Sequence, residues 1–289
     1  MSIDYPFGEG PAKLVSTDWL KEHIDDGMTI VDTQPDIHDY IQEHIPSAVY
    51  LNQKLFRVPY MGRPGVYVEP SMIESLFSRV GIKKDVPVLV YTGVGPFRGW
   101  GDGLEQTMVA YTLIRFGHSE VYLLDGGIDK WKAEGGTVIK DFPHVTPSEF
   151  KAEVNSSYYI EYEEFKKIKD DEGVVVLDAR PPDVYQGQGP WIKPGHIPGA
   201  VNLPWKSLMT DDNPKLLKPL DEVRSLLEKA GASSDKKVIC TCGTGREATN
   251  EFLLMKCYLG YKDVVLYEGS FTEWTAYPDN PTVTGESPR

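Results

Sequence analysis

Lys237-Val238-Ile239-Cys240-Thr241-Cys242-Gly243-Thr244-Gly245-Arg246-Glu247-Ala248 is the stretch that decides the fold. Its first five residues form a short apolar run, the mark of a strand buried on both faces. Gly243 and Gly245 then let the backbone curl tightly, and from 247 to 259 the pattern turns helical until Gly260 stops it. A strand that passes through a tight turn into a helix is half of a βαβ unit, so a parallel sheet covered by helices is expected. Ligands of such sheets collect beyond the carboxyl ends of the strands, where Cys242 stands. The turn aims backbone N–H groups and a helix N-terminus at the sulfur, which predicts a lowered thiol pKa and a nucleophilic thiolate.

The same alternation extends outward. Residues 174–177 and 264–267 read as buried strands, and 220–230 as a helix ended by Gly231. The pattern also occurs twice. Val31-Asp32-Thr33 is echoed by Leu177-Asp178-Ala179, and His44-Ile45-Pro46-Ser47-Ala48 by His196-Ile197-Pro198-Gly199-Ala200. Tyr122-Leu123-Leu124-Asp125-Gly126-Gly127 with Trp131 is echoed by Val265-Leu266-Tyr267-Glu268-Gly269-Ser270 with Trp274. The offsets are 146, 152 and 143 residues, so order and spacing hold and two copies of one domain are expected.

Composition narrows the function. With 289 residues and 40% hydrophobic content the chain suits two domains. No run approaches the roughly 20 apolar residues of a membrane span, and no secretory signal opens the chain. Cys240, Cys242 and Cys257 make no disulfide framework, which points to a reducing, cytoplasmic setting. A net charge of −13 argues against nucleic-acid binding and means that any anion site is built locally. Cys240-Thr241-Cys242 lacks a second ligand pair, so no metal is expected.

Taken in register, Asp178-Ala179-Arg180, Gly195 to Ala200, the loop from Cys242, and Glu268-Gly269-Ser270 with Trp274 resemble the rhodanese family of sulfurtransferases in its tandem form. The resemblance covers nearly the whole chain. It implies an α/β fold of two rhodanese-like domains, each a parallel sheet flanked by helices on both faces. Residues 13–140 would be a catalytically silent first domain, 141–157 a linker and 158–285 the catalytic domain. The absence of any cysteine before Cys240 agrees with a silent first copy. The implied activity moves sulfane sulfur from thiosulfate to a thiophilic acceptor through a Cys242 persulfide, without a cofactor. The acceptor would be cyanide or a thiol, a protein thiol included.

Cys242 is the expected nucleophile, and Arg180, Gly243, Thr244, Gly245, Arg246, Glu247 and Ala248 the expected substrate-binding residues. Arg180 has two readings, a structural ion pair with Asp178 or, as in the resembled family, a contact to the anionic substrate. Arg246 is expected either near the incoming anion or in solvent at the helix start. Cys240 and Cys257 read as core, with Cys240 also placed to resolve an oxidised Cys242. His44 and His196, present in both copies, read as structural rather than as general bases, and Trp131 and Trp274 as core. The second copy has six more residues between its aspartate and histidine, including Trp191 and Lys193, expected to wall the site.

Three alternatives stay open. Cys-Gly-Thr-Gly resembles the loop of 3-mercaptopyruvate sulfurtransferases, yet Val184 stands where those carry a second arginine. A cysteine-loop phosphatase needs arginine at the position of Ala248, so Arg246 comes two residues early. A non-catalytic sulfur-carrier or protein-binding module is the third, and the retained Cys242 tells against it.

Overall fold

In the computed structural model, which describes residues 3–289, the two copies appear as two parallel sheets. The first half runs β1 (Ala12–Val15), α1 (Thr17–His23), β2 (Thr29–Asp32), α2 (Ile37–Gln42), β3 (Val49–Tyr50), the antiparallel hairpin of β4 (Arg57–Tyr60) and β5 (Arg63–Tyr67), α3 (Pro70–Arg79), β6 (Val88–Tyr91), α4 (Leu104–Arg115), β7 (Val121–Leu124) and α5 (Gly127–Ala133). The second runs α6 (Tyr162–Ile168), β8 (Val174–Asp178), β9 (Ala200–Asn202), α7 (Leu220–Lys229), β10 (Lys237–Thr241), α8 (Ala248–Phe252), β11 (Val264–Leu266) and α9 (Ser270–Ala276). Strand order is β1-β7-β6-β2-β3 in one sheet and β11-β10-β8-β9 in the other, every pair parallel. Tyr159 bridges Leu266 in parallel, at the edge that β1 fills in the first sheet. The expected α/β architecture is therefore what the chain adopts.

Register supplies an equivalence that the motifs alone did not. Asp32 pairs with Tyr91 in one sheet and Asp178 with Thr241 in the other. The residue after Tyr91 thus corresponds to the residue after Thr241. Thr92 takes the place of Cys242, and Thr92-Gly93-Val94-Gly95 mirrors Cys242-Gly243-Thr244-Gly245.

The helices that follow these two loops, α4 and α8, pack against each other and share one core. All twelve residues of α4 are buried, because its own sheet covers one side and the second domain the other. Thr107 and Thr249 hydroxyls meet at 2.8 Å in the middle of this contact. Beyond α8 the helix widens into a π turn over Leu253–Tyr258. A wider turn leaves carbonyls without their usual helical partners, and that of Cys257 accepts the N–H groups of Glu9 and Gly10, each at 2.9 Å. Residues 141–155 form no helix or strand and run along the first domain before a 3-10 turn at Ser156–Tyr158. Phe150 is buried there, and the N–H groups of Ser148 and Asn155 donate to the carbonyls of Ser78 and Arg115.

Each domain also sends a hairpin into the other. The β4–β5 hairpin lies on the Cys242 loop, where Arg57 donates to the Thr244 carbonyl and Arg63 pairs with Glu273. Its counterpart, closed by the Met209–Leu217 bridge, lies on the first domain's turn between β7 and α5. There the Gly126 N–H donates to the Lys215 carbonyl at 3.0 Å, and the Leu217 N–H to Asp125 at 2.9 Å. The Lys215 side chain is 1% exposed and pairs with Asp129 at 3.1 Å. Its stem crowds Gly127, where a Cβ would come 2.4 Å from the Thr92 carbonyl.

Candidate active site

Cys242 leaves the carboxyl end of β10 fully buried. Its N–H donates to the Ser270 hydroxyl at 3.1 Å, and that hydroxyl donates to the Tyr267 carbonyl at 2.8 Å. The carbonyls of Cys242 and Gly243 accept from the N–H groups of Phe271 and Thr272, both at 3.0 Å, so the start of α9 holds the loop in place. Ser270 matters for this anchoring, and its first-domain equivalent is Gly127. The only sequence sign of it was the end of the repeated Glu268-Gly269-Ser270 segment.

The loop then curls around the sulfur as expected. Gly245 has φ +79°, and its N–H donates to Sγ at 3.0 Å. A Cβ at Gly245 would lie 2.5 Å from the Glu268 carbonyl, so the turn requires glycine. The N–H groups of Ala248 and Thr244 also favour the anionic sulfur.

The expected lowering of the thiol pKa is nevertheless corrected. Burial pushes the Cys242 thiol well up, and the negative charge of the Glu247 carboxyl acts in the same direction. Loss of hydration and a neighbouring negative charge outweigh the amides.

Both arginines are engaged elsewhere. Arg180 is 1% exposed, and its guanidinium grips Asp178 through Nε at 2.9 Å and Nη2 at 2.6 Å. Nη2 also donates to the Gly195 carbonyl at 3.0 Å, while Nη1 is buried with no partner. The Trp191 and Phe271 rings cover this guanidinium at 5.2 and 4.2 Å. Of its two readings, the ion pair is the one seen. Gln34 repeats the arrangement in the first domain, its N–H and Nε2 donating to Asp32 at 2.8 and 3.0 Å.

Arg246 is partly exposed, and its guanidinium turns to the first domain. It clamps the first domain, donating to Asp102 at 2.8 and 2.7 Å and to Glu105 at 2.9 Å. Its guanidinium is thus held by carboxylates of the first domain, while the residue also lines the larger cavity at the domain interface. Trp191 does wall the site, since a Cβ on Gly243 would lie 2.7 Å from its ring, and its Nε1 donates to Thr272 at 2.8 Å.

Cys240 and Cys257 are buried core residues. His196 faces the Tyr185 and Ser287 carbonyls with its two ring nitrogens, and His44 repeats this with Tyr40 and Asp141. Both fill the structural role expected of them. Among the described residues no cluster of metal-ligating side chains occurs, and no helix is long and apolar enough to cross a membrane.

Thr244, exposed at the loop tip, lies between two cavities at the domain interface. One of about 620 Å³ includes Gln53, Arg57, Trp100 and Arg246; the other, of about 320 Å³, includes Arg63, Arg115, Glu268 and Glu273. Arg57 was invisible to sequence reasoning. It lies 187 residues from its bonding partner and in the other domain. Among the described residues it has no carboxylate partner, which leaves its charge available to the larger cavity.

Comparison with known proteins agrees with this architecture. The Rhodanese-like domain model matches residues 16–134 and again 161–277. The chain is 34% identical over 286 residues to a putative thiosulfate sulfurtransferase of Synechococcus elongatus, spanning 96% of this chain and 87% of that protein. It is 30% identical to the sulfur carrier protein TtuD of Thermus thermophilus, across 96% and 98% of the two chains. The crystal structure of the Escherichia coli 3-mercaptopyruvate sulfotransferase SseA superposes with a TM-score of 0.78 at 26% identity, covering 89% of this chain and 98% of that one.

Proposed function

Because the chain belongs to the rhodanese-like family, with two such domains in tandem, we propose that it moves sulfane sulfur from thiosulfate to a thiophilic acceptor through a persulfide on Cys242. The single observation that carries this reading is the Cys242 sulfur at the end of β10, with the Gly245 N–H 3.0 Å away and Ala248 and Thr244 turned to the same atom. Sγ attacks the outer sulfur of thiosulfate. The new S–S bond forms as the old one breaks, and sulfite leaves with the bonding pair. The loop amides then hold the terminal sulfur anion in the manner of an oxyanion hole. Cyanide or a thiol takes that sulfur and Cys242 is restored. With Thr92 in place of the cysteine, the first domain has no such nucleophile.

Thiosulfate as donor is supported by Arg57, the unpaired cation beside the loop, and by the Synechococcus relative. The donor enters by the larger cavity, and the hairpin of β4 and β5 must move aside, since Cys242 is fully buried beneath it. The 3-mercaptopyruvate reading has the E. coli relative in its favour, at 28% identity, and Arg180 with its unpartnered Nη1. The three free cysteines suit a cytoplasmic setting.

Intact-mass measurement after thiosulfate treatment tests the reading. We expect the wild type to gain one sulfur and Cys242→Ala to gain none. Comparing kcat/KM for the two donors chooses between them, with a large preference for mercaptopyruvate overturning thiosulfate. A wild type that takes sulfur from neither donor removes the enzyme reading altogether.

A further inference from the structure

Arg180 stands beside the Cys242 loop with its hydrogen bonding unfinished. Asp178 accepts from Nε and Nη2, and the Gly195 carbonyl accepts from Nη2 as well, but Nη1 is buried with no acceptor. A Cβ on Gly243 would lie 3.7 Å from the Arg180 Cδ, so the arginine's stem runs alongside the residue that follows the nucleophile. A buried N–H donor left without an acceptor is costly. Kept at such a place, it marks a seat for an anionic oxygen brought from outside the protein.

Trp191 stands over that seat. Its ring lies 5.2 Å from the guanidinium carbon and meets the Phe271 ring edge-on at 5.4 Å. It also rests on the loop, where a Cβ on Gly243 would come within 2.7 Å of the indole. Gly243 has no left-handed φ, so the indole, not the turn, requires glycine there. Three bonds to Asp178, at 2.9, 3.1 and 2.6 Å, fix the arginine. The indole has one polar tether, from Nε1 to the Thr272 hydroxyl at 2.8 Å. The weaker hold is the one that yields. Ile192 beside it is 88% exposed, and Gly189 precedes it. Lys193 pins the far side by donating to the Tyr277, Pro278 and Asn280 carbonyls at 3.0, 2.6 and 2.7 Å. The first copy lacks every part of this device. It has Thr92 for Cys242, Gln34 for Arg180, and no tryptophan between Asp32 and His44.

We propose that Trp191 is a gate that withholds Arg180 from carboxylate-bearing donors and so tilts the site toward thiosulfate. This rests on the reading of Cys242 as the atom that takes the sulfur. In thiosulfate the charged oxygens sit on the atom bonded to the transferred sulfur, so they stay near the loop, where Arg57 stands. In 3-mercaptopyruvate the carboxylate lies at the far end of a carbon chain and needs a cation of its own. Nη1 of Arg180 supplies one only when the indole turns aside. That movement breaks the Thr272 bond and uncovers the guanidinium, a cost that the compact donor does not incur.

The test is the ratio of kcat/KM for 3-mercaptopyruvate to that for thiosulfate, which a merely structural tryptophan would not move. In Trp191→Ala we expect the ratio to rise about tenfold, the worth of one hydrogen bond and a cation–π contact. Trp191→Phe, which keeps a ring but loses Nε1, should fall between the variant and the wild type. A ratio that is unchanged, or that moves toward thiosulfate, overturns the gate. Should Trp191→Ala fail to fold, Thr272→Val cuts the tether, leaves the ring, and is read the same way. If the wild type takes sulfur from neither donor, the sulfur-transfer reading has failed instead, and binding still decides the gate. Pyruvate carries the carboxylate and no sulfur, and by calorimetry it should bind Trp191→Ala about tenfold more tightly than the wild type. Equal affinities overturn the proposal.

Discussion

Asp32 and Asp178 do the same work in the two copies with different partners. Asp178 is neutralised by a guanidinium, whereas Asp32 has the amide of Gln34 and the Tyr91 hydroxyl at 2.5 Å. Without a cation, burial raises the Asp32 carboxyl to about 7, against the hydrogen bonds that lower it. The native state therefore holds a proton that the unfolded chain releases near pH 4, and stability must fall as pH rises from about 4 to 7. Asp125, raised to about 6 by burial, acts in the same sense. Asp32 alone accounts for roughly 4 kcal/mol across that window. Urea midpoints at pH 4.5 and 7 should show the loss, and Asp32→Asn should shrink it. The motif Asp-x-Arg was legible in the sequence, and one of its two readings was the ion pair. What the string could not give was the thiol's environment, because the sulfur's ionisation depends on how deeply the assembled domains bury it.

The hairpin of β4 and β5 is the element that joins the first domain to the Cys242 loop. Its hold on the loop is a bond from Arg57 to the Thr244 carbonyl and the Arg63–Glu273 pair. If Arg57 receives the donor, Arg57→Ala should raise the KM for thiosulfate about tenfold while kcat changes less, and Arg57→Lys should recover part of it. Equal losses in kcat and kcat/KM would place Arg57 in the transition state instead. Strands and helices near the nucleophile were readable from local patterning. The apolar run, the paired glycines and Gly260 bounded β10 and the following helix to within two residues or so. The hairpin was not readable, because its meaning lies in partners from the other half of the chain. The wide turn at Leu253–Tyr258 was also hidden, since a π turn keeps helical spacing over so short a stretch.

Across the whole molecule the two domains are less separable than a repeat suggests. One apolar cluster takes in α4 of the first domain and α8 of the second, and the Arg246 clamp and both hairpins cross the same boundary. Calorimetry on the full chain should give a single unfolding transition with matching calorimetric and van't Hoff enthalpies. Two resolved transitions would contradict a common core. The duplication itself could be read from three pairs of segments. The way the copies face each other could not, because the α4–α8 contact leaves only a fully apolar helix as its trace, and buried helices of any origin look alike.

Lys215 bears on what position 92, the first-domain counterpart of Cys242, can hold. Its stem fills the hollow that faces Thr92, and its ammonium is tied to Asp129, which also accepts the Val94 N–H at 2.8 Å. A thiol placed at position 92 would therefore meet the Lys215 stem, held in turn by Asp129, so clearing space around it would take a second change in the opposite domain.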